Sequence, residues 1–376
     1  MSQTFEFMAP RLVGERFEGH AIPLEIFKDL AVLEEMVIEV AKWKYLQEHP
    51  DRQRTPRGFT EDISIKMTDI GDGSAIPKLI LMIGALSLLQ PENKQYFEKA
   101  RDAIVKSIDA AEFAANDITQ HLPSSFLSYF DRMGRSLREN ESIEFNPQNK
   151  QRPARLNKTT RHKLLEMSLV KEWTEEIIER GLIPELDQDK NRFTLQLLNG
   201  SKVQMPLEPQ HKKIILEALV GFDQNIKILV HGIGRYNQMH KLESFDSIEH
   251  ISILDALDVA ARLEELSALK DGWLDGKGKA LDNIGLAWLT SSFDFLYDNR
   301  LPLPHLYPTA EGGIQAEWSF NSWEISLEID LINKTGEYQE FNVATNKSDE
   351  TKLNLAENEG WTDLNSRLIV FSKENA

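Results

Sequence analysis

The stretch "GGIQAEWSFNSWEISLEIDLINKTGEYQEFNV", residues 312–343, alternates apolar and polar side chains. The apolar side chains occupy every second position from Ile314 to Phe320 and again from Trp323 to Leu331. Successive side chains of a β-strand point to opposite faces of the sheet, so a period of two produces one apolar and one hydrated face. We therefore predict an antiparallel β-meander whose apolar face packs on helices.

Carboxylates cluster on the hydrated face of this meander. Glu317 lies on one predicted strand, and Glu324, Glu328 and Asp330 lie on the next. Like charges on neighbouring strands lower the stability of a sheet. The face is therefore either simply solvated, in which case it also discourages edge-to-edge association, or it binds a basic protein partner. These four acids are the candidate partner-binding residues.

The C-terminal domain is predicted to span residues 255–376. Apolar residues recur at helical spacing in "DALDVAARLEELSAL" (255–269) and in "ALDNIGLAWLTSSFDFLYD" (280–298). This domain is expected to be a helix pair that packs on the antiparallel β-meander.

The loop "DGWLDGKGKALD", residues 271–282, has aspartates and a glycine at some positions of a calcium-binding EF-hand loop. An EF-hand needs oxygen ligands at its third and ninth positions, which here are Trp273 and Lys279. A tryptophan offers no oxygen, and a lysine repels a dication. Gly276 and Gly278 favour a chain reversal instead. We predict a turn without bound metal, in which Trp273 anchors the loop to the core.

The central region, residues 164–254, is predicted to be a small β-barrel. "RFTLQLLNGSKVQMPL" indicates two strands joined at Asn199-Gly200, a dipeptide typical of hairpins in which both turn residues have positive φ. Three further strand-like stretches and a short helix in "PQHKKIILEALVG" (209–221) complete the region. About five short strands predict a barrel of the SH3-like or OB-like kind.

The N-terminal region, residues 1–140, is predicted to place helices over a short sheet. Helical spacing predicts amphipathic helices in residues 23–50 and 93–115. Alternation in "DISIKMTDI" (62–70) predicts a half-buried strand, and the apolar run from Ile76 to Leu89 predicts a buried strand or a strand–helix segment. The fold class of the whole chain is therefore expected to be α+β.

A basic segment interrupts an otherwise acidic chain. The formal net charge is −17, although residues 132–163 are rich in lysine and arginine. The polar, proline-bearing part of this segment, residues 141–163, predicts a basic linker or a structured surface loop. The candidate nucleic-acid-binding residues are Arg132, Arg135, Arg138, Arg152, Arg155, Arg161 and Lys163.

Two uses of the basic segment are open. The first three of its arginines recur every three residues, so on a helix they would form one stripe that could contact nucleic acid. Alternatively, the segment pairs with the chain's own acids. Nucleic acid is the less favoured partner, because the negative net charge disfavours binding to a phosphate backbone.

Several chemistries lack their sequence signature. The chain has no cysteine, which excludes disulfides, thiolate nucleophiles and cysteine-bound zinc. Its nine histidines never occur at metal-ligand spacing, and neither GxxxxGK[ST] nor GxSxG is present. We therefore predict no metal, no cofactor and no catalytic residue from local motifs. A site assembled from distant residues leaves no such motif and stays open.

Neither the N-terminal residues nor the longest apolar run suggests a membrane protein. The first residues have no basic and apolar regions of a secretory signal, and the longest apolar run has about half the length of a spanning helix. Together with the lack of cysteines, this predicts a cytoplasmic protein without membrane contact.

Three C-terminal segments resemble a set of bacterial proteins of unassigned activity. They are "RLEELSALKDGWLDGKGKA", "LPLPHLYPTAEGGIQAEW" and "SLEID", and "RFEGHAIPLEIFKDLAVLEEMVIEVAK" near the start is similar in the same way. The shared features are a GWLDGxG loop after a helix and a PTxEGGIQxEW hairpin. Some of these proteins resemble members of two-gene defence or toxin–antitoxin modules. The resemblance implies a bacterial accessory or regulatory protein and assigns no catalytic position.

Three functional hypotheses follow. The favoured one is a non-catalytic regulatory protein that binds a protein partner, expected to be basic and encoded nearby, as an antitoxin or immunity protein does. The second is a nucleic-acid-associated defence factor that uses the small barrel and residues 132–163. The third is an enzyme whose site, built from distant residues, lies between the N-terminal region and the barrel.

Overall fold

The computed structural model describes residues 3–56, 58–60, 63–71, 75–83, 93–145, 152–237 and 239–373. These residues form an α+β protein, which confirms the expected fold class. The chain divides into two compact units. The first unit consists of residues 1–177 and 233–246, and the second of residues 178–232 and 247–376.

The first unit is built on two long helices, α1 (Leu24–Glu48) and α2 (Asn93–Phe113), as their apolar spacing predicted. Their apolar faces share one core with a three-stranded antiparallel sheet. This sheet consists of β1 (Gln3–Met8), β4 (Ile76–Ile83) and β3 (Ser64–Gly71), in that spatial order. The predicted apolar run is thus a strand up to Ile83, and residues 84–92 lie outside the described ranges.

A second small sheet and three short helices complete this core. The sheet has the order β2 (Arg11–Val13), β5 (Ser142–Phe145) and β6 (Ala154–Leu156). The helices are α3 (Ile118–His121), α4 (Ser124–Leu127) and α5 (Lys158–Glu166). Helix α5 begins with a capping box, in which Asn157 and Thr160 each bind the other's backbone N–H at 2.9 Å. The stretch 141–163 therefore contains two strands and most of a capped helix.

Residues 132–136 form turns and not a helix, so the stripe that these arginines would form on a helix is absent. The residues concerned are Arg132, Arg135 and Arg138. Within these turns Gly134 has φ of +78°, a left-handed conformation that favours glycine. Its backbone N–H donates a 2.9 Å hydrogen bond to Asp29 on α1. A partner far away in the sequence therefore holds the turn.

Five strands form a ring. They are β7 (Glu172–Asp187), β8 (Arg192–Leu197), β9 (Lys202–Pro206), β10 (Ile228–Asn237) and β11 (Leu242–Ile253). Their spatial order is β10-β11-β9-β8-β7, and helix α6 (Lys212–Val220) connects β9 to β10. In this ring, β7 with β8 and β8 with β9 are antiparallel. The number of strands and the helix agree with the sequence prediction.

The turn between β8 and β9 differs from the one predicted. Gly200 has φ of +84°, whereas Asn199 does not have a positive φ. The Leu197 carbonyl accepts a 2.9 Å hydrogen bond from Gly200 N–H, and Leu197 N–H donates to Ser201 O at 2.8 Å. A three-residue loop with one left-handed glycine thus takes the place of the expected two-residue turn.

The C-terminal part of the second unit is a five-stranded meander packed on helices, which confirms the prediction from the period of two. The strands are β12 (His305–Pro308), β13 (Ile314–Phe320), β14 (Trp323–Asp330), β15 (Thr335–Asn342) and β16 (Lys347–Asn354). The helices are α7 (Val259–Ser267), α8 (Asn283–Leu296) and α9 (Asn358–Lys373). Apolar side chains of sheet and helices form one core. Helix α9 was not predicted.

The loop between α7 and α8 is a turn, and two of its aspartates accept hydrogen bonds from backbone N–H groups. Asp271 accepts such a bond across the loop at 2.8 Å, and Asp282 accepts one from the first turn of α8 at 2.7 Å. Trp273 differs from its prediction, since it packs against Gly278 and donates to the Lys279 carbonyl at 3.1 Å. This tryptophan therefore closes the loop on itself and does not anchor it to the core.

Candidate functional site

The four acids predicted to bind a partner lie on one polar face of the C-terminal sheet. Residues directly opposite each other on antiparallel strands point to the same face. Glu317 is opposite Ser326, which shares the face of β14 with the remaining three acids. The four acids are Glu317, Glu324, Glu328 and Asp330. The structure thus brings them together, while the other face of the sheet is buried against helices.

A groove of about 420 Å³ lies on this polar face. Its lining includes Glu328, Glu337, Glu350 and Lys352. Glu328 and Glu337 are directly opposite each other on β14 and β15. Lys352 lies 3.4 Å from Glu337, which partly compensates one of the carboxylates. The groove therefore carries more negative than positive charge. We call this polar face, with its groove, the acidic face.

Asp330 also has a local structural role. Its carboxylate accepts 2.9 Å hydrogen bonds from the backbone N–H groups of Ile332 and Asn333, and a 2.7 Å bond from the Asn333 side chain. These bonds from Asn333 and Ile332 lower the pKa of Asp330 below its ordinary value. Because this carboxylate holds the β14–β15 turn, Glu317, Glu324 and Glu328 are the better test residues for binding.

Two predicted nucleic-acid-binding arginines pair with acids on the long helices of the first unit. Arg132 lies 2.6 Å from Glu35 on α1. Arg152 lies 3.6 Å from Asp109 on α2, and its guanidinium group stacks 3.3 Å from the centre of the Phe113 ring. These arginines are therefore already engaged within the first unit.

The remaining basic residues of the segment differ in their partners and in their burial. Arg155 lies 3.0 Å from Glu144, and Arg135 donates to Thr174 at 3.1 Å. Arg161 is buried and donates at 2.7 Å to the backbone carbonyls of Phe130, Asp131 and Thr174. Arg138 is exposed and Lys163 half-buried. The segment is thus occupied largely by contacts with the first unit's own acids and carbonyls.

A cavity of about 400 Å³ lies in the first unit, at the end of α5 and the start of β7. Its lining includes Leu165, Val170 and Trp173 together with His162, Lys171 and His240. No sequence motif pointed to it, because α5, β7 and the β10–β11 turn each contribute separate residues. The available signal was the apolar run "MSLV" (167–170) just before Trp173.

Aromatic rings pack closely at this cavity. Trp173 stacks on Tyr236 with ring centres 6.1 Å apart and planes at 10°. His240 approaches Trp173 edge-on at 4.8 Å, and His162 lies 5.7 Å from the same ring. Three neighbours therefore hold the indole in one orientation.

A carboxylate fixes the ring of His162. Nε2 of His162 lies 2.5 Å from Oε1 of Glu175, and Arg161 Nη1 lies 3.8 Å from the same oxygen. Burial raises the pKa of Glu175. The hydrogen bond from His162 and the positive charges of Arg161 and Lys158 outweigh this effect, so the pKa lies below its ordinary value. Because Glu175 engages Nε2, Nδ1 is the ring nitrogen that takes no part in this contact.

The second unit contains a group of acids around one arginine. Arg180 lies 3.3 Å from Glu264, and burial with the neighbouring charge of Glu264 raises the pKa of Glu179 to about 7. Burial also raises the pKa of Glu264 itself. The charge of this group therefore changes near neutral pH.

Comparisons with family models, curated proteins and solved structures found no match for the chain. Within the described ranges, every helix is too short or too polar to span a lipid bilayer.

Proposed function

We propose that the chain is a cytoplasmic, non-catalytic accessory protein that binds a basic protein partner through the acidic face. The observation that carries the proposal is the register of β14 and β15, which places Glu328 directly opposite Glu337 in the middle of this face. Opposed carboxylates repel each other in the free protein. A cationic side chain from a partner would remove that repulsion, so the arrangement favours binding over isolation.

The surroundings of this pair support the same function. Glu317 and Glu324 extend the negative charge along β13 and β14. Tyr307, at the β12 edge of the same face, is 45% exposed and offers an aromatic contact of the kind that protein interfaces use. The resemblance to proteins of two-gene modules supports an antitoxin-like or immunity-like role, with the partner encoded nearby.

The experiment is affinity purification from native lysate with three forms of the tagged chain. They are the wild type, a Glu317→Gln/Glu324→Gln/Glu328→Gln variant of the acidic face, and a Glu357→Gln/Glu359→Gln control outside that face. We expect the wild type and the control to retain the same basic protein. The acidic-face variant, and the wild type at 0.5 M salt (about 4 Å Debye length), should lose it.

Two results would contradict this function. One is a set of bound proteins that does not change when the three glutamates are neutralised. The other is a chain that elutes alone at its monomer mass, with or without the product of the adjacent gene.

Nucleic-acid binding is the second candidate, and the ring of strands favours it. Numbered along the chain, the ring has the order 1-2-3-5-4, with a helix between strands three and four. A five-stranded Greek-key ring supports an OB-like barrel, a fold that binds oligonucleotides or oligosaccharides at its second and third strands.

The charge beside these strands speaks against nucleic acid. A groove beside β8 is lined by Glu185, Asp187 and Asp189 as well as Lys190 and Arg192, a charge balance that does not attract phosphates.

Titration with labelled single-stranded DNA at several salt concentrations tests this second candidate. If the chain bound nucleic acid through the basic segment, its affinity would fall steeply with salt and with an Arg152→Glu/Arg155→Glu change. Since both arginines already contact acids of the first unit, we expect no such binding. Affinity that falls with salt and with the double change would put nucleic acid ahead of a protein partner.

A further inference from the structure

The cavity of the first unit has two chemically distinct sides. The apolar side is formed by Leu165, Leu169, Val170 and Trp173, and the basic side by His162, Lys171 and His240. We propose that this cavity binds a small aromatic carboxylate, with its ring against the apolar side and its anionic group at Lys171, beside the two histidines. This site is separate from the acidic face and does not depend on the function proposed for that face.

The volume and the apolar side of the cavity fit a small, flat ring. A volume of about 400 Å³ falls in the range of small-molecule sites. Trp173 is held in place by Tyr236 and His240, so a flat ring can pack against the wall without costly reordering. Leu169 is 77% exposed at the rim, and a ligand that covers it would bury apolar surface now in water.

The basic side of the cavity favours a ligand with a negative charge. Glu175 holds Nε2 of His162 by a hydrogen bond, which fixes the orientation of this ring beside the cavity. Lys171 adds an exposed ammonium group, and His240 contributes a third nitrogen base. Glu166 is the carboxylate in this lining and is exposed, as Lys171 is, so water screens both charges until a ligand covers Lys171.

These features select a carboxylate over a neutral ring. An uncharged aromatic molecule would gain the apolar contacts alone, whereas a carboxylate also gains charge-assisted hydrogen bonds in a partly desolvated site. The difference in affinity between a carboxylate and its amide therefore measures the contribution of the basic side to binding.

The experiment uses the full chain and two probes of the same shape, 2-naphthoate and 2-naphthamide. Saturation-transfer NMR and calorimetry should show saturable binding of naphthoate, with the amide at least tenfold weaker. Lys171→Met should weaken naphthoate at least fivefold and leave the amide unchanged. Leu169→Ala should weaken both probes.

Two controls make the result specific. His250→Gln changes an exposed histidine outside this cavity and should leave both affinities unchanged. The acidic-face variant should also bind naphthoate normally, so a failed protein-partner experiment and a failed cavity experiment remain distinguishable. Absence of saturable naphthoate binding, equal affinity for the two probes, or an unaltered Lys171→Met variant would each overturn the proposal.

Discussion

Asp29 accepts a 2.5 Å hydrogen bond from the hydroxyl group of Ser136 and a 2.9 Å bond from Gly134 N–H. Helix α1 provides the carboxyl group, and both donors belong to the turns that follow α4. Asp29 is 2% exposed, and this burial raises its pKa to about 6, although the two hydrogen bonds act in the opposite direction. The contact that shapes these turns is therefore also sensitive to pH.

The change Asp29→Asn should remove a stability loss between about pH 4 and pH 6. The folded-state pKa of about 6 lies above the ordinary aspartate value of 3.8, so the folded protein binds more protons in this window. Stability therefore falls as pH rises, by about 3 kcal/mol over the whole shift. Urea denaturation at pH 4 and pH 7 measures this as the difference between wild type and variant. An equal pH dependence of the two proteins would show that Asp29 is ionised normally.

A comparison of two arginine-to-lysine changes tests how much burial matters. Arg161 is buried and serves three backbone carbonyls, which a single ammonium group cannot reach together. We expect Arg161→Lys to lower the free energy of unfolding by about 3 kcal/mol. Arg152→Lys is the matched control in the same segment, and its half-exposed pair with Asp109 should cost below about 1 kcal/mol. Chemical denaturation provides both values, and equal losses would contradict the structural role of Arg161.

Alanine substitutions at two glycines of the α7–α8 loop distinguish the cost of backbone strain from the cost of a side-chain clash. Gly276 and Gly278 have φ of +82° and +85°, but only at Gly278 would a Cβ meet another group, Trp273 Nε1, at 2.7 Å. Gly276→Ala should therefore lower stability by about 1 kcal/mol, and Gly278→Ala by about 2 kcal/mol. Thermal unfolding of both variants checks this order. Identical losses would mean that Trp273 does not close the loop.

Local patterns predicted those parts of the fold that local physics determines. The period of two between residues 312 and 343 predicted β13 to β15, because alternating side chains can bury one face only as strands. The apolar spacing of α1 and α2 worked for the corresponding reason. Helix α9 was not predicted, although its buried residues Trp361, Leu364, Leu368 and Phe371 recur at three- and four-residue steps.

The failures arise where a distant partner determines the conformation. Arg132, Arg135 and Arg138 have helical spacing, yet the bond from Gly134 to Asp29 imposes a turn. The cavity escaped detection for a similar reason, since its residues are close only after three elements have packed. The acidic face was recognisable, because sheet geometry relates neighbouring strands by a simple rule.

The opposed pair Glu328 and Glu337 predicts a conflict between stability and binding. Glu328→Gln removes the repulsion and keeps the pair between Glu337 and Lys352, so unfolding should cost about 0.5 kcal/mol more at low salt. Glu337→Gln loses that lysine contact as well and should gain less. Both gains should vanish at 1 M salt, where the Debye length is about 3 Å. Urea denaturation at two salt concentrations measures these changes, and the same Glu328 variant should retain less of the basic partner. Lower stability of Glu328→Gln would show that the opposed carboxylates do not repel, which would remove the physical reason for assigning partner binding to this face.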